Sequence, residues 1–97
     1  MRYDYTEKEK EKVLLNFMKQ GKVKQTPASE KKKYILLTEV VLEQFVEGEI
    51  YSEKDINLKL KEVFSEAEYV EQRRYLIIFE LLDRTKDGSQ YWMKPIS

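Results

Sequence analysis

The sequence predicts an α+β fold in which four helices pack with a small antiparallel sheet, made of a short strand plus a C-terminal hairpin. A helical pattern at residues 65–80 runs directly into a candidate hairpin at residues 81–93. The Asp87-Gly88 dipeptide at its centre favours a tight turn, because glycine accepts the positive φ that such turns require. A helix followed at once by a two-stranded ribbon is typical of a winged helix-turn-helix, and the 97 residues suit one domain.

The first predicted element is an additional N-terminal helix at residues 6–20. Thr6 and Glu9 have the spacing of a capping box, in which each side chain accepts a hydrogen bond from the other residue's backbone. Apolar residues then recur at helical spacing. They are Val13, Leu14, Phe17 and Met18. Gly21 is a natural C-terminal stop.

The predicted winged-helix core occupies residues 29–93. Residues 22–25 alternate polar and apolar and predict a short strand or an extended link. Ser29 is placed to cap a helix over residues 30–46, which is apolar enough to be the central helix of the core. Leu42 belongs to its expected buried face.

The second half of the core repeats the alternation of strand and helix. Residues 49–51 predict a short strand, expected to pair with the hairpin through Ile50 and Tyr51. Ser52 begins a third helix, in which apolar residues again recur at helical spacing. Residues 65–68 resemble a second capping box and predict the start of helix four, with Ile77 in its buried face.

Composition narrows the function classes. The 18 basic and 18 acidic residues give no net charge, so no global field attracts nucleic acid. The absence of cysteine and histidine disfavours disulfides, zinc sites and most proton-shuttle chemistry, so we expect no enzyme activity, no metal and no cofactor. No apolar run approaches the roughly 20 residues of a membrane span, and no signal-peptide pattern is present. We therefore expect a cytoplasmic protein.

Helix four and a run of lysines supply the candidate nucleic-acid contacts. Arg73 and Arg74 are adjacent, and since helical neighbours point about 100° apart, one is expected to face solvent and the other to pair inside the fold. We assign Arg74 to solvent. Gln72 is a further candidate for base contact. Five lysines form a candidate phosphate-binding patch. They are Lys22, Lys24, Lys31, Lys32 and Lys33.

Aromatic residues near the end of the chain suggest an alternative role. Tyr75, Phe79 and Trp92 are candidates for a protein interface, where aromatic residues are enriched. The same residues are also suited to packing the hairpin on helix four. Because side chains alternate along a strand, Tyr91 and Trp92 are expected on opposite sides, one of them more exposed.

Over about residues 13–92 the chain resembles a bacterial family known as domain of unknown function 2087. The segments that carry the resemblance are Phe17-Met18, residues 21–27, the lysine run with the apolar helix after it, residues 51–57, Arg73-Arg74-Tyr75-Leu76, and Leu81-Leu82-Asp83-Arg84. Family members are sometimes attached to helix-turn-helix regulators, so the resemblance implies a role near transcription. The chain departs from it at Gln72, where members tend to have leucine, and at Glu80, where they tend to have glycine.

Two functional hypotheses follow. The first is a transcription-related module that binds double-stranded DNA, with helix four, the wing and the lysine patch on phosphates. The second is a protein-interaction module that forms a homodimer or binds a partner regulator protein. Its support is the zero net charge and the acidic residues of helix four.

Overall fold

The computed structural model describes residues 2–95 as an α+β fold with four helices and two small antiparallel sheets. The helices are α1 (Glu7–Phe17), α2 (Glu30–Leu36), α3 (Glu53–Lys61) and α4 (Tyr69–Ile78). The strands are β1 (Met18–Lys19), β2 (Lys22–Val23), β3 (Tyr51–Ser52), β4 (Leu82–Arg84) and β5 (Gln90–Met93). Strand β1 pairs with β2, and the second sheet has the order β3-β5-β4.

Helix α1 begins as predicted and ends earlier. The capping box is present: Thr6 Oγ1 accepts from the Glu9 backbone N–H at 3.1 Å, and Glu9 Oε1 accepts from the Thr6 N–H at 3.2 Å. The helix was expected to continue to about residue 20, and this part of the prediction is wrong. Gln20 and Gly21 both have positive φ, 55° and 80°, so the chain turns back in a two-residue hairpin that pairs β1 with β2.

Helix α2 lies in the centre of the molecule, as its apolar sequence predicts. Ser29 caps it, with Oγ accepting from the Lys32 N–H at 3.4 Å. The helix continues as a π-helical segment, Leu37–Val41, and a 3₁₀ turn, Leu42–Gln44. Helical backbone therefore ends two residues before the predicted limit.

The starts of α3 and α4 differ in how far local sequence determines them. Ser52 and Asp55 form a complete capping box at α3. The capping box predicted at Ser65 is absent, because the Ser65 carbonyl oxygen instead accepts from the backbone N–H groups of Glu68 and Tyr69 in a turn. Helix α4 consequently begins four residues later than expected, without a side-chain cap.

The predicted hairpin and third strand are confirmed. Strand β4 pairs antiparallel with β5 across the turn that contains Gly88, which has φ 73°. Tyr51 pairs with Tyr91 of β5, so β3 is the third strand. The strand covers residues 51–52 where residues 49–51 were expected, and Ile50 remains exposed.

The main hydrophobic core lies between α2, α3, α4 and the three-stranded sheet. Leu42 is buried as predicted, whereas Ile77 is only half-buried, contrary to expectation. The side of α4 that faces the core presents Gln72, Leu76 and Phe79 instead. This orientation of α4 decides which of its polar residues reach solvent.

Candidate nucleic-acid interface

Helix α4 presents a narrow solvent-facing stripe. Val70, Arg74 and Ile78 are spaced four residues apart, which places them above one another on one side of a helix. Val70 is 43% exposed and Ile78 is 53% exposed, and Arg74 between them is exposed as predicted. The stripe thus has one cation flanked by two apolar side chains.

Arg73 points toward α3 and pairs inside the fold, as expected for one member of the arginine pair. Its Nη1 donates to Asn57 Oδ1 at 2.6 Å and lies 3.2 Å from Glu53 Oε1. Both contacts use the same nitrogen. Among residues 2–95 the Nε and Nη2 groups have no partner, so they remain available as donors.

A cleft of about 220 Å³ lies between α4 and the C-terminal hairpin, and we call it the arginine cleft. Its lining residues are Arg73, Arg74, Ile77, Ile78, Arg84 and Tyr91. In the part of the chain that the structure describes, no carboxylate oxygen lies within 4.0 Å of the guanidinium nitrogens of Arg74 or Arg84. The Arg84 backbone N–H donates to Asp83 Oδ1 at 2.8 Å. Sequence reasoning missed Arg84, although its place on a hairpin strand beside the turn is visible in the sequence. What it could not show is that the fold brings Arg84 to the arginine pair.

The hairpin turn lies close to this cleft. A Cβ added to Gly88 would lie 3.4 Å from Arg84 Nη1, 3.8 Å from Glu53 Oε2 and 4.0 Å from the Tyr91 hydroxyl oxygen. A side chain at this position would also have to adopt a positive φ. Glycine therefore lets the turn approach the Arg84 guanidinium and the start of α3.

Hydrogen bonds within the turn fix its shape. Asp87 Oδ1 accepts from Thr85 Oγ1 at 2.7 Å, from the Ser89 N–H at 3.0 Å and from Ser89 Oγ at 2.8 Å. The hydrogen bonds from Thr85 and Ser89 lower the pKa of the Asp87 carboxyl to about 2. The turn is thus closed by an ionised carboxylate at neutral pH.

The five candidate lysines do not form one surface. Lys22 Nζ donates to the Glu62 carbonyl oxygen at 3.1 Å, and Lys31 Nζ lies 2.8 Å from Glu9 Oε2. Lys24 is exposed and has no ion pair among the described residues.

The other two lysines lie over aromatic rings. Lys32 Nζ is 5.5 Å from the centre of the Phe17 ring. Lys33 Nζ is 4.4 Å from the centre of the Tyr75 ring and donates to its hydroxyl at 3.3 Å. Together with the Lys31–Glu9 ion pair, these contacts stabilise the packing of α2 on α1 and α4. They offset the unfavourable macrodipole that three lysines meet in the first turn of a helix.

Two candidate residues are in the core instead of on the surface. Gln72 is 1% exposed, and neither atom of its side-chain amide has a hydrogen-bond partner in residues 2–95, so it does not reach a base. Phe79 is fully buried and stacks on Tyr75 at 5.2 Å, which removes it from any interface. The helical rotation of α4 is the physical reason for both corrections. Of the two hairpin aromatics, Tyr91 is buried and Trp92 is partly exposed, as alternation predicts.

Residues 2–95 contain neither a cluster of metal ligands nor a helix that could span a membrane. No group of three or more acidic side chains is placed to hold a metal ion. No helix in the same range combines the length and apolar character needed to cross a membrane.

Residues 22–93 match the family described as an uncharacterized protein conserved in bacteria, domain of unknown function 2087, and the chain belongs to this family. The matched range contains every described element except α1 and β1. No curated protein and no solved structure gives a significant match.

The two positions that depart from the expected family pattern lie in different environments. Gln72 occupies a core position, where an apolar side chain such as leucine would leave no polar atom unpaired. Glu80 has φ 60°, a conformation in which glycine is unstrained. Gln72 is therefore a packing position, whereas Glu80 is an exposed residue of the turn that follows α4.

Proposed function

We propose that this chain is a winged-helix-like, non-catalytic module that binds double-stranded nucleic acid through its phosphates and acts in transcription in the bacterial cytoplasm. The contacts are assigned to Arg74 of α4 and Arg84 of the hairpin. The observation that carries the proposal is the arginine cleft, which Arg74 and Arg84 both line and where no carboxylate of residues 2–95 pairs with either guanidinium.

The element order supports this proposal. From α2 onward the chain runs helix, strand, helix, helix and hairpin, and the sheet order β3-β5-β4 places the first strand against the last. In a winged helix the fourth of these elements enters the major groove and the hairpin contacts the adjacent backbone. Arg74 lies on α4, which corresponds to the recognition helix, and Arg84 lies on β4, which corresponds to a strand of the wing.

The surface of α4 favours phosphate contact over base reading. Gln72 is buried, and the exposed stripe consists of Val70, Arg74 and Ile78, next to the acidic Glu71. Arginine is thus the only strong hydrogen-bond donor on that stripe. Phosphate contacts fix position on a duplex and carry no sequence information, so little sequence preference is expected.

Salt-dependent binding to a fluorescent duplex tests the proposal. Two neutralised phosphates give a slope of log affinity against log salt of about −1.8, since each contributes about −0.9. Duplexes of unrelated sequence should bind within a few-fold of each other. Arg84→Gln should weaken binding and flatten the slope by about 0.9, whereas Lys8→Gln, at an exposed position of α1, should change neither. Absence of any duplex binding at low salt would refute the proposal.

The exposed apolar side chains Val70 and Ile78 favour a second candidate, a protein-interaction module. Exposed apolar residues beside a cation are suited to the centre of a protein interface. In this case the chain forms a homodimer or binds a partner regulator protein through α4. Analytical ultracentrifugation of the wild type and of Ile78→Glu separates the two candidates: a dimer that this substitution dissociates supports the interaction module.

A further inference from the structure

We propose that the arginine cleft is a binding site for a phosphate monoester carried on a small apolar group, and that such a ligand competes with duplex binding. Only the competition rests on the proposed function. The site itself is inferred from the charge, the free donors and the size of the cleft.

The charge of the cleft matches a dianion. Three arginines line it, and among the described residues Glu53 is the carboxylate that pairs with one of their guanidiniums, so these four side chains carry a charge of three minus one, or +2. A phosphate monoester has a charge of about −1.5 to −2 at neutral pH, and a phosphodiester has about −1. A monoester therefore neutralises the cleft more completely.

Arg73 lines the cleft and is held by two contacts within the fold. Its Nη1 is held by Glu53 and Asn57, which fixes the plane of the guanidinium. The unpartnered Nε and Nη2 groups form an edge of the planar fork that matches two oxygens of a phosphate. The side chain would thus bind without further loss of conformational freedom, because it is ordered before the ligand arrives.

Arg74 and Arg84 approach from two different elements. Arg74 extends from α4 and Arg84 from β4, and both line the same cleft as Arg73. Three cations around one cleft repel one another, and that repulsion is relieved when an anion binds between them. Among residues 2–95 neither the Arg74 nor the Arg84 guanidinium has an ion pair, unlike Lys31 of α2.

The size and walls of the cleft define the rest of the ligand. Its volume of about 220 Å³ is below the roughly 300–1,000 Å³ of pockets for drug-sized molecules. Ile77 and Ile78 provide an apolar wall beside the guanidiniums. A phosphate group attached to a few carbon atoms fits this combination.

The test is an NMR titration of the full chain that follows the Nε–Hε signals of arginine. The probes are phenyl phosphate, a monoester, and dimethyl phosphate, a diester, with chloride at matched ionic strength as the reference. We expect saturable shifts of the Arg73, Arg74 and Arg84 signals, with phenyl phosphate binding at least tenfold tighter than dimethyl phosphate. Linear shifts that chloride reproduces, or equal affinity for both esters, would overturn the inference.

Variants locate the site. Arg84→Gln and Arg74→Gln, both at exposed positions, should each weaken phenyl phosphate binding at least tenfold. Lys86→Gln removes a charge from the same hairpin outside the lining of the cleft, and should change binding less than twofold. Equal weakening by all three would show general electrostatic attraction and would also overturn the inference. Urea unfolding of each variant verifies that the fold is retained.

A parallel duplex titration separates this inference from the proposed function. If the duplex binds and phenyl phosphate does not saturate, the inference fails and the proposed function stands. If phenyl phosphate saturates the cleft of a protein that binds no duplex, the site is supported and the proposed function fails. Competition predicts that saturating phenyl phosphate reduces duplex affinity at constant ionic strength.

Discussion

The lysines that begin α2 and the arginines of the cleft are two cationic regions that the fold uses differently. Lys31 is paired with Glu9, and Lys33 lies on the Tyr75 ring. Arg74 and Arg84 have no such partner among residues 2–95. A dense basic run in a sequence therefore does not by itself show which cations pair within the fold. Arg74 and Arg84, which lie on a helix and a strand, line one cleft.

The largest expected effect concerns the anchoring of α4, which places the cleft. Phe79→Ala should lower the free energy of unfolding by about 3–5 kcal/mol, because the ring is fully buried. Ile78→Ala, on the solvent side of α4, is the matched control and should change the free energy of unfolding by less than about 0.5 kcal/mol. Urea unfolding measures both. Similar losses in the two variants would show that α4 is rotated differently.

The buried amide of α4 gives the next largest effect. Gln72→Leu should raise the free energy of unfolding by about 1–3 kcal/mol, since it removes a buried polar group that has no partner within residues 2–95. Gln25→Leu, at an exposed position, should leave stability nearly unchanged. A destabilised Gln72→Leu protein, measured by urea unfolding, would mean that the amide is hydrogen-bonded.

A smaller effect tests the structural role of the α2 lysines. Lys33→Met keeps the aliphatic stem and removes the charge over the Tyr75 ring, at an expected cost of about 0.5–1 kcal/mol. Lys24→Met removes an exposed charge that has no ion pair among residues 2–95, and should cost nothing measurable. Thermal unfolding of the two variants distinguishes them. Equal stability would contradict the assignment of Lys33 to packing.

The smallest effect is a pH dependence at the hairpin turn beside the cleft. The folded-state pKa of Asp87 is about 2, lowered from 3.8 by hydrogen bonds from Thr85 and Ser89. Its contribution to stability is therefore complete above about pH 4 and is lost as the pH falls through about 2. Asp87→Asn keeps an oxygen acceptor and should remove this part of the acid dependence in urea unfolding. If the free energy of unfolding falls equally with pH in the wild type and in Asp87→Asn, the contribution assigned to Asp87 is wrong.

Local sequence signals predicted most of the secondary structure. The capping boxes at Thr6 and Ser52, the cap at Ser29 and the Asp87-Gly88 turn all involve residues within a few positions of one another. The same reasoning failed at Ser65, where the backbone of a turn uses the carbonyl oxygen and the side chain caps nothing. A matching pattern of residue types does not reveal how the surrounding chain directs the backbone.

The candidate site was less predictable, because it depends on tertiary structure. The separation of Arg73 from Arg74 followed from helix geometry alone. The rotation of α4 that buries Gln72 did not, since its hydrophobic residues occur on more than one face. The approach of Arg84 to α4 depends on how the hairpin packs, and the lysine contacts with Glu9 and Tyr75 depend on how the helices pack.

The most direct test compares the salt dependence of duplex binding in two double variants that lose the same charge. Arg74→Gln with Arg84→Gln removes two positive charges from the cleft, and Lys31→Gln with Lys33→Gln removes two from α2. The account predicts that the arginine variant flattens the slope of log affinity against log salt by about 1.8, at about 0.9 per phosphate contact. The lysine variant should keep the wild-type slope. A lysine variant that flattens the slope as much as the arginine variant would contradict the central claim.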